Sequence, residues 1–228
     1  MESKTAMPLR VDIVSDVVCP WCIIGYLQLQ KALAEMPGEF TLDIHWQPFE
    51  LNPTMPAAGQ DLREHIAQKY GSTPAQSRGA RQRLVEIGES LGYHFDYFDG
   101  MRMVNTFKAH QLLHWAASHG LQTALKLAMF RAFFSERRDV GDSEQLVAIA
   151  IAVGLDGTEA AQVLADGRYV DVVRQAQSAW LEREVHAVPT FFIQDTYMIP
   201  GAQDAAVFVQ ALQRIREREL ASTGSGLR

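Results

Sequence analysis

Hydrophobic and polar positions change their period several times along the chain, and the changes outline its elements. Leu9, Val11 and Ile13 alternate with Arg10 and Asp12, the period of two expected of a strand buried on at least one face. Ile23, Ile24, Leu27 and Leu33 then recur at helical spacing until Pro37-Gly38, a pair that stops a helix. Phe40, Leu42, Ile44 and Trp46 alternate with Thr41, Asp43, His45 and Gln47, which predicts a second strand and completes a βαβ start.

From Pro48 to Gly59 the composition turns to Pro, Asn and Gly, a boundary signal, and a long helical stretch follows. Helices are predicted near 60–70, 74–91, 105–119, 122–135, 143–153, 158–165 and 168–185. Thr73-Pro74-Ala75-Gln76 reads as a capping box with proline in the first helical position, and Asp142-Ser143 offers N-cap candidates. Gly92, Gly120 and Gly154 fall where helix C-termini favour the left-handed conformation. Thr190–Ile193 and Tyr197–Ile199 predict a hairpin. Asp204 is placed to cap a closing helix with Val207, Phe208, Ala211, Leu212 and Ile215 on one face. The segment 221–228 is small, polar and rich in Gly and Ser, the composition of a disordered tail.

With 228 residues, the chain can form one large domain or a small domain with a substantial insertion. Its formal net charge of −6 is spread over mixed acidic and basic residues with no basic stripe, which argues against a nucleic-acid partner. No stretch approaches the length of an apolar membrane span, and residues 1–8 contain no apolar signal core. The expectation is therefore a cytoplasmic protein without a membrane partner.

Cys19 and Cys22 are the two cysteines of the chain, spaced too closely for a structural staple in a reducing compartment. A cysteine just before a helix faces unpaired backbone N–H groups and the positive end of the helix dipole, which favour a thiolate. Pro20 suits the first helical position because its missing N–H would have had no partner there. Cys19, at an exposed helix start, is the expected nucleophile. Cys22, one turn in, is the expected resolving thiol. Two other readings compete: small buried hydrophobes, and a zinc site completed by His110 and His114, four apart on a predicted helix. The long separation of those ligand pairs argues against zinc, so no metal is expected.

Cys19-Pro20-Trp21-Cys22 after a strand, Trp46-Gln47-Pro48-Phe49-Glu50-Leu51 after the second, Asn105-Thr106-Phe107-Lys108-Ala109-His110 and Val188-Pro189-Thr190-Phe191 are shared landmarks. Through them the sequence resembles the DsbA-like thioredoxin superfamily, and most closely its cytoplasmic FrnE-like branch. The resemblance implies an α/β, thioredoxin-like fold with a large all-helical insertion. Segments 1–57 and 187–220 would form the thioredoxin-like domain and 58–186 the insertion. It also implies a cis Val188–Pro189 bond beside the cysteines, with Val188 available to pair with substrate, and a helix carrying Asn105 and His110 over the active site. Trp21 stands where periplasmic DsbA proteins carry histidine. An indole there offers apolar contact surface for substrate instead of a charge.

The leading reading is a protein disulfide oxidoreductase. Protein disulfides or thiols are its expected substrates, and glutathione is a candidate thiol co-substrate; no bound cofactor is expected. The alternatives are a glutathione-dependent transferase or 2-hydroxychromene-2-carboxylate isomerase on the same fold, and a non-catalytic zinc-stabilised or chaperone-like module. Those transferases and isomerases carry serine at the position of Cys19, whereas this chain carries the full pair.

Overall fold

The structure is a computed structural model and describes residues 6–225. Strand β1 (Met7–Ser15) is buried from Val11 onward, so it reads as a central strand covered on both faces. Helix α1 (Pro20–Ala34) follows, and β2 (Phe40–Pro48) returns parallel to β1 in a register running from Met7 opposite Phe40 to Ser15 opposite Pro48.

The segment after β2 opens with β3 (Gln60–Asp61), α2 (Leu62–Tyr70), α3 (Pro74–Ser90) and β4 (Arg102–Met103). Five further helices follow: α4 (Phe107–Ala117), α5 (Gln122–Phe134), α6 (Ser143–Ala152), α7 (Gly157–Asp166) and α8 (Val170–Glu182). The chain closes with β5 (Thr190–Ile193), β6 (Tyr197–Pro200) and α9 (Ala205–Ser225). The main sheet has the order β2-β1-β5-β6, with β5 antiparallel to both β1 and β6.

Local chemistry accounts for the helix starts. Asp61 accepts from the N–H groups of Arg63 and Glu64, Asp142 from Gln145 and Asp156 from Glu159; Thr73 and Gln76 form the reciprocal capping box. Three expectations change. The helical insertion also carries a short antiparallel ladder of β3 and β4, and β3 takes the first two positions of the helix predicted near 60–70. Two-residue strands are too short to show a period. Helix α9 continues through Ser225, into the predicted disordered tail at 221–228, of which 226–228 lie outside the described residues. Asp204 does not cap α9 with its side chain. Its carboxylate accepts weakly from Gln28, while the Gln28 amide oxygen accepts the Ala205 N–H at 3.0 Å and ties α1 to α9.

One cluster of buried side chains runs through both parts of the molecule. It includes Leu9, Val11 and Ile13 of β1, Ile23 and Leu29 of α1, Leu112 of α4, Phe130 of α5 and Phe208 of α9. A smaller cluster of Val14, Trp180, Val185 and Phe192 places α8 against the sheet. The free edge of β2 is covered from α5. Gln122 accepts the Trp46 N–H at 2.9 Å and donates to the Trp46 carbonyl at 3.0 Å, taking the place of a neighbouring strand.

Candidate active site

The C-terminal end of β1 delivers the chain to the start of α1, where Cys19 is the N-cap in an extended conformation and Pro20 occupies the first turn. The Cys19 N–H donates to the Asp16 carbonyl at 3.2 Å and the Cys22 N–H to the Cys19 carbonyl at 3.1 Å, which fixes the turn of the motif. Both cysteines are free thiols. Cys19 is only 3 % exposed, against the expectation of an exposed helix start. Cys19 lines a cleft together with Phe49, Glu50 and Leu51 from one end of the insertion and His186, Ala187 and Val188 from the other.

The Cys19 thiol donates to the Val188 carbonyl at 3.7 Å, so the Val188–Pro189 segment lies directly against the sulfur. The Val188–Pro189 peptide is cis, and the Pro189 carbonyl accepts from Gly201 N–H at 2.8 Å, anchoring the loop to the chain beyond β6. Trp21, 43 % exposed, forms part of the cleft wall beside Cys19 and Pro20.

Behind the motif lies a buried polar group that sequence pattern did not single out. Asp16, fully buried, accepts from His110 Nε2 at 3.3 Å and from the Leu51 N–H at 2.8 Å. Burial raises its carboxyl, but the His110 hydrogen bond and charge, the Leu51 N–H and the Lys126 ammonium outweigh it and hold it below the usual carboxylate range. Lys126 is also fully buried, and its Nζ has no hydrogen-bond partner. It rests 5.3 Å from the Trp46 ring centroid and 5.1 Å from that of Phe130, a cation–π arrangement. Burial lowers its pKa to about 8 against the opposing pull of Cys22, Asp16 and Cys19. Burial likewise pushes the Cys22 thiol well up. Its hydrogen bond with Cys19 and the Cys19 charge act in the same direction, and Lys126 opposes them.

His110 therefore reaches the underside of the motif through Asp16. The Asn105 amide donates to the Met55 carbonyl at 3.0 Å and its oxygen accepts the Phe107 N–H, so it positions the start of α4. His114 packs against Tyr169, with ring centroids 5.1 Å apart, instead of joining His110 at a shared site.

The cleft has a volume of about 650 Å³ and runs from Cys19 to α2 and α3. Its lining carries Glu50, Lys69, Arg81 and Tyr97, which no local pattern marks. Glu50 is paired with Arg174 and accepts from Gln177 at 3.0 Å, while its Oε2 is buried without a partner. Arg174 stacks on Phe107, its guanidinium carbon 3.7 Å from the ring centroid. One sequence signal could have exposed Lys126: a lone cation inside the apolar run Ala124–Phe130. The cleft residues come from separate segments and have no such signature.

The profile of the DSBA-like thioredoxin domain family matches residues 10–213. The uncharacterized protein YwbO of Bacillus subtilis (strain 168) is 31 % identical over 207 residues, which cover 90 % of this chain and 96 % of that protein. A probable DsbA oxidoreductase from Streptomyces coelicolor superposes with a TM-score of 0.85 at 34 % identity, covering 90 % of this chain and 89 % of its own. The cytosolic disulfide reductase DsbM from Pseudomonas aeruginosa shares the fold with a TM-score of 0.60 at 19 % identity, covering 93 % and 98 % of the two chains, and a second structure of it contains GSH.

Proposed function

The chain belongs to the DSBA-like thioredoxin domain family, and from that premise we propose that it is a thiol-disulfide oxidoreductase with Cys19 as nucleophile and Cys22 as resolving thiol. The observation that carries the reading is the pair of free thiols one turn apart at the start of α1, with the Val188 carbonyl against the first sulfur.

The Cys19 thiolate attacks one sulfur of a disulfide, forming a mixed disulfide and releasing the first thiolate. Cys22 then displaces the second sulfur, and its proton leaves with a released thiol, so the dithiol is oxidised by two electrons as the substrate is reduced. Proximity favours the second step: Cys22 is held by the helix, whereas a competing thiol must arrive from solution. The raised pKa of Cys22 keeps it protonated while Cys19 waits for substrate. Lys126, buried near both sulfurs, favours thiolate formation at Cys22 once the resolving step begins. Glutathione is the candidate thiol co-substrate, a suggestion supported by the fold shared with DsbM.

The test is a trap. Cys22→Ser should accumulate a reductant-sensitive mixed disulfide through Cys19, and Cys19→Ser should accumulate none and lose disulfide reductase activity. Equal activity of Cys19→Ser and wild type overturns the reading. Retention of a glutathione-dependent transferase or isomerase activity by Cys22→Ser would favour single-thiol chemistry on the same fold.

A further inference from the structure

The cleft above Cys19 is more than an access path. Its volume of about 650 Å³ falls in the range of roughly 300–1,000 Å³ occupied by small-molecule sites. Its walls beyond the motif are largely apolar, with Trp21, Leu62, Ile66, Leu84, Met103 and Phe133 among the lining residues. Two cations interrupt them.

Lys69 donates to the Leu51 carbonyl and to Asn52 Oδ1, each at 2.7 Å, and Arg81 donates to Ser77 Oγ at 2.7 Å. All three acceptors are uncharged, and among the described residues neither cation has a carboxylate within salt-bridge distance, unlike the other cleft-side cation, Arg174. Lys69 lies within electrostatic reach of the buried Asp16 carboxylate and of Cys19, and Arg81 within reach of Tyr97. Glu50 is the one carboxylate of the lining, and Arg174 and Gln177 already hold its Oε1. The cleft thus presents a sulfur, an apolar body and unneutralised positive charge in one enclosure.

We propose that this cleft binds low-molecular-weight disulfides that carry a carboxylate on an apolar, preferably aryl, body, with Lys69 and Arg81 as the specificity-determining residues. The assignment rests on the thiol-disulfide reading above and names its substrate class. The carboxylate meets the two cations, the ring lies among the apolar walls, and the disulfide is presented to Cys19. Attack by the Cys19 thiolate forms the Cys19–aryl disulfide and releases one aryl thiolate. Cys22 then forms the internal disulfide and releases the second thiolate with its proton. Two electrons pass from the dithiol to the substrate.

The experiment uses the reduced full-length protein in single-turnover stopped flow with three probes: 5,5′-dithiobis(2-nitrobenzoate), a dianionic aryl disulfide; 4,4′-dithiodipyridine, a neutral aryl disulfide; and 3,3′-dithiodipropionate, a dianionic aliphatic one. Each rate is divided by that of the same probe with a free small thiol, which removes intrinsic reactivity. The dianionic aryl probe should show the highest normalised rate. Lys69→Gln combined with Arg81→Gln should lower it by about tenfold, as expected for losing two partly screened charge contacts, while the rate with the neutral probe falls by a clearly smaller factor. Because thiolate attack on the neutral probe reports the nucleophile itself, an equal fall for both aryl probes would mean that the cations act on Cys19 and would overturn the assignment. So would a wild-type normalised rate for the neutral or aliphatic probe equal to that of the dianionic aryl one. Cys19→Ser is the separate control: wild-type rates in that variant overturn the thiol-disulfide reading, whereas a lost anion preference with Cys19 still required overturns the substrate class alone.

Discussion

Lys126 shows how one residue beside the two sulfurs can oppose the stability of the fold. Its ammonium is fully buried, lacks a hydrogen bond and has two aromatic faces as neighbours. A cation so placed is destabilising unless its neighbours compensate. Lys126→Met keeps the volume and removes the charge, so it should stabilise the protein at pH 7 by up to about 3 kcal/mol, the free-energy equivalent of lowering the pKa from 10.5 to about 8. The sign follows from proton counting. Between about pH 8 and 10.5 the unfolded wild type binds a proton that the folded form has lost, so wild-type stability gains relative to the variant as pH rises through that window. Denaturant titrations of both proteins at pH 7 and pH 10 measure this, and an advantage for Lys126→Met that does not shrink at the higher pH would show that the charge is not the cause. Cys19, Pro20, Trp21 and Cys22 were legible in the sequence because their chemistry lies within four consecutive positions. Asp16, His110 and Lys126 meet only through the fold, and Asp16 alone gives no local sign of the partners that reach it from α4 and α5.

At the scale of elements, the site depends on how closely α1 packs against the strand that follows Val188–Pro189. Gly25 makes that approach feasible: a Cβ there would lie 3.1 Å from Phe191 Cζ and 3.1 Å from Pro189 Cγ. Phe191 cannot yield easily, being fully buried and edge-on to Phe208 with centroids 5.0 Å apart. Two effects oppose each other in Gly25→Ala, since alanine gains about 1 kcal/mol of helix propensity whereas overpacking a close-packed site costs about 1–3 kcal/mol. Overpacking should win, giving a less stable protein. The reaction of Cys19 with a neutral disulfide should also slow, because displacing Pro189 moves the Val188 carbonyl away from the sulfur. Paired measurements of denaturation midpoint and thiol reactivity check it; a variant more stable than wild type with unchanged reactivity would mean the contact is slack. Sequence pattern located α1 from the spacing of its apolar residues and the hairpin from two β-prone runs around Gln194-Asp195-Thr196. Neither the close approach nor the β3–β4 ladder could be read from it, since one is a tertiary contact and the other is two residues long on each side.

For the whole molecule, the question is whether the segment between β2 and β5 is a separate unit or part of one folding unit. Composition marks a boundary around Pro48–Gly59, and the family resemblance implies a discontinuous domain carrying an insertion. Packing suggests shared cooperativity. The principal cluster joins Ile13 and Ile24 to Leu112, Phe130 and Phe134. Trp46 of β2 packs 6.0 Å from Phe130, donates from Nε1 to Thr123 Oγ1 at 3.0 Å and has its backbone paired with Gln122, all in α5. On the opposite face, Trp180 of α8 lies 4.9 Å from Phe192 of β5. Removing the helices would expose the apolar face and open edge of β2, and removing the sheet would strip α5 of its contacts with Trp46, so neither part retains its buried surface alone. Thermal unfolding of the reduced protein should therefore be a single transition. The calorimetric enthalpy should match the van't Hoff value, and far-ultraviolet circular dichroism, which follows the helices, should coincide with the fluorescence of a variant that keeps Trp46 and Trp180 at the junction and carries Phe in place of Trp21 and Trp115. Two resolved transitions, with helical signal persisting after the fluorescence change, would instead make the insertion an autonomous unit. The cleft would then be an interface between two units able to separate, and its charge selectivity would weaken under mild denaturant before global unfolding, a loss the single-unit structure does not allow.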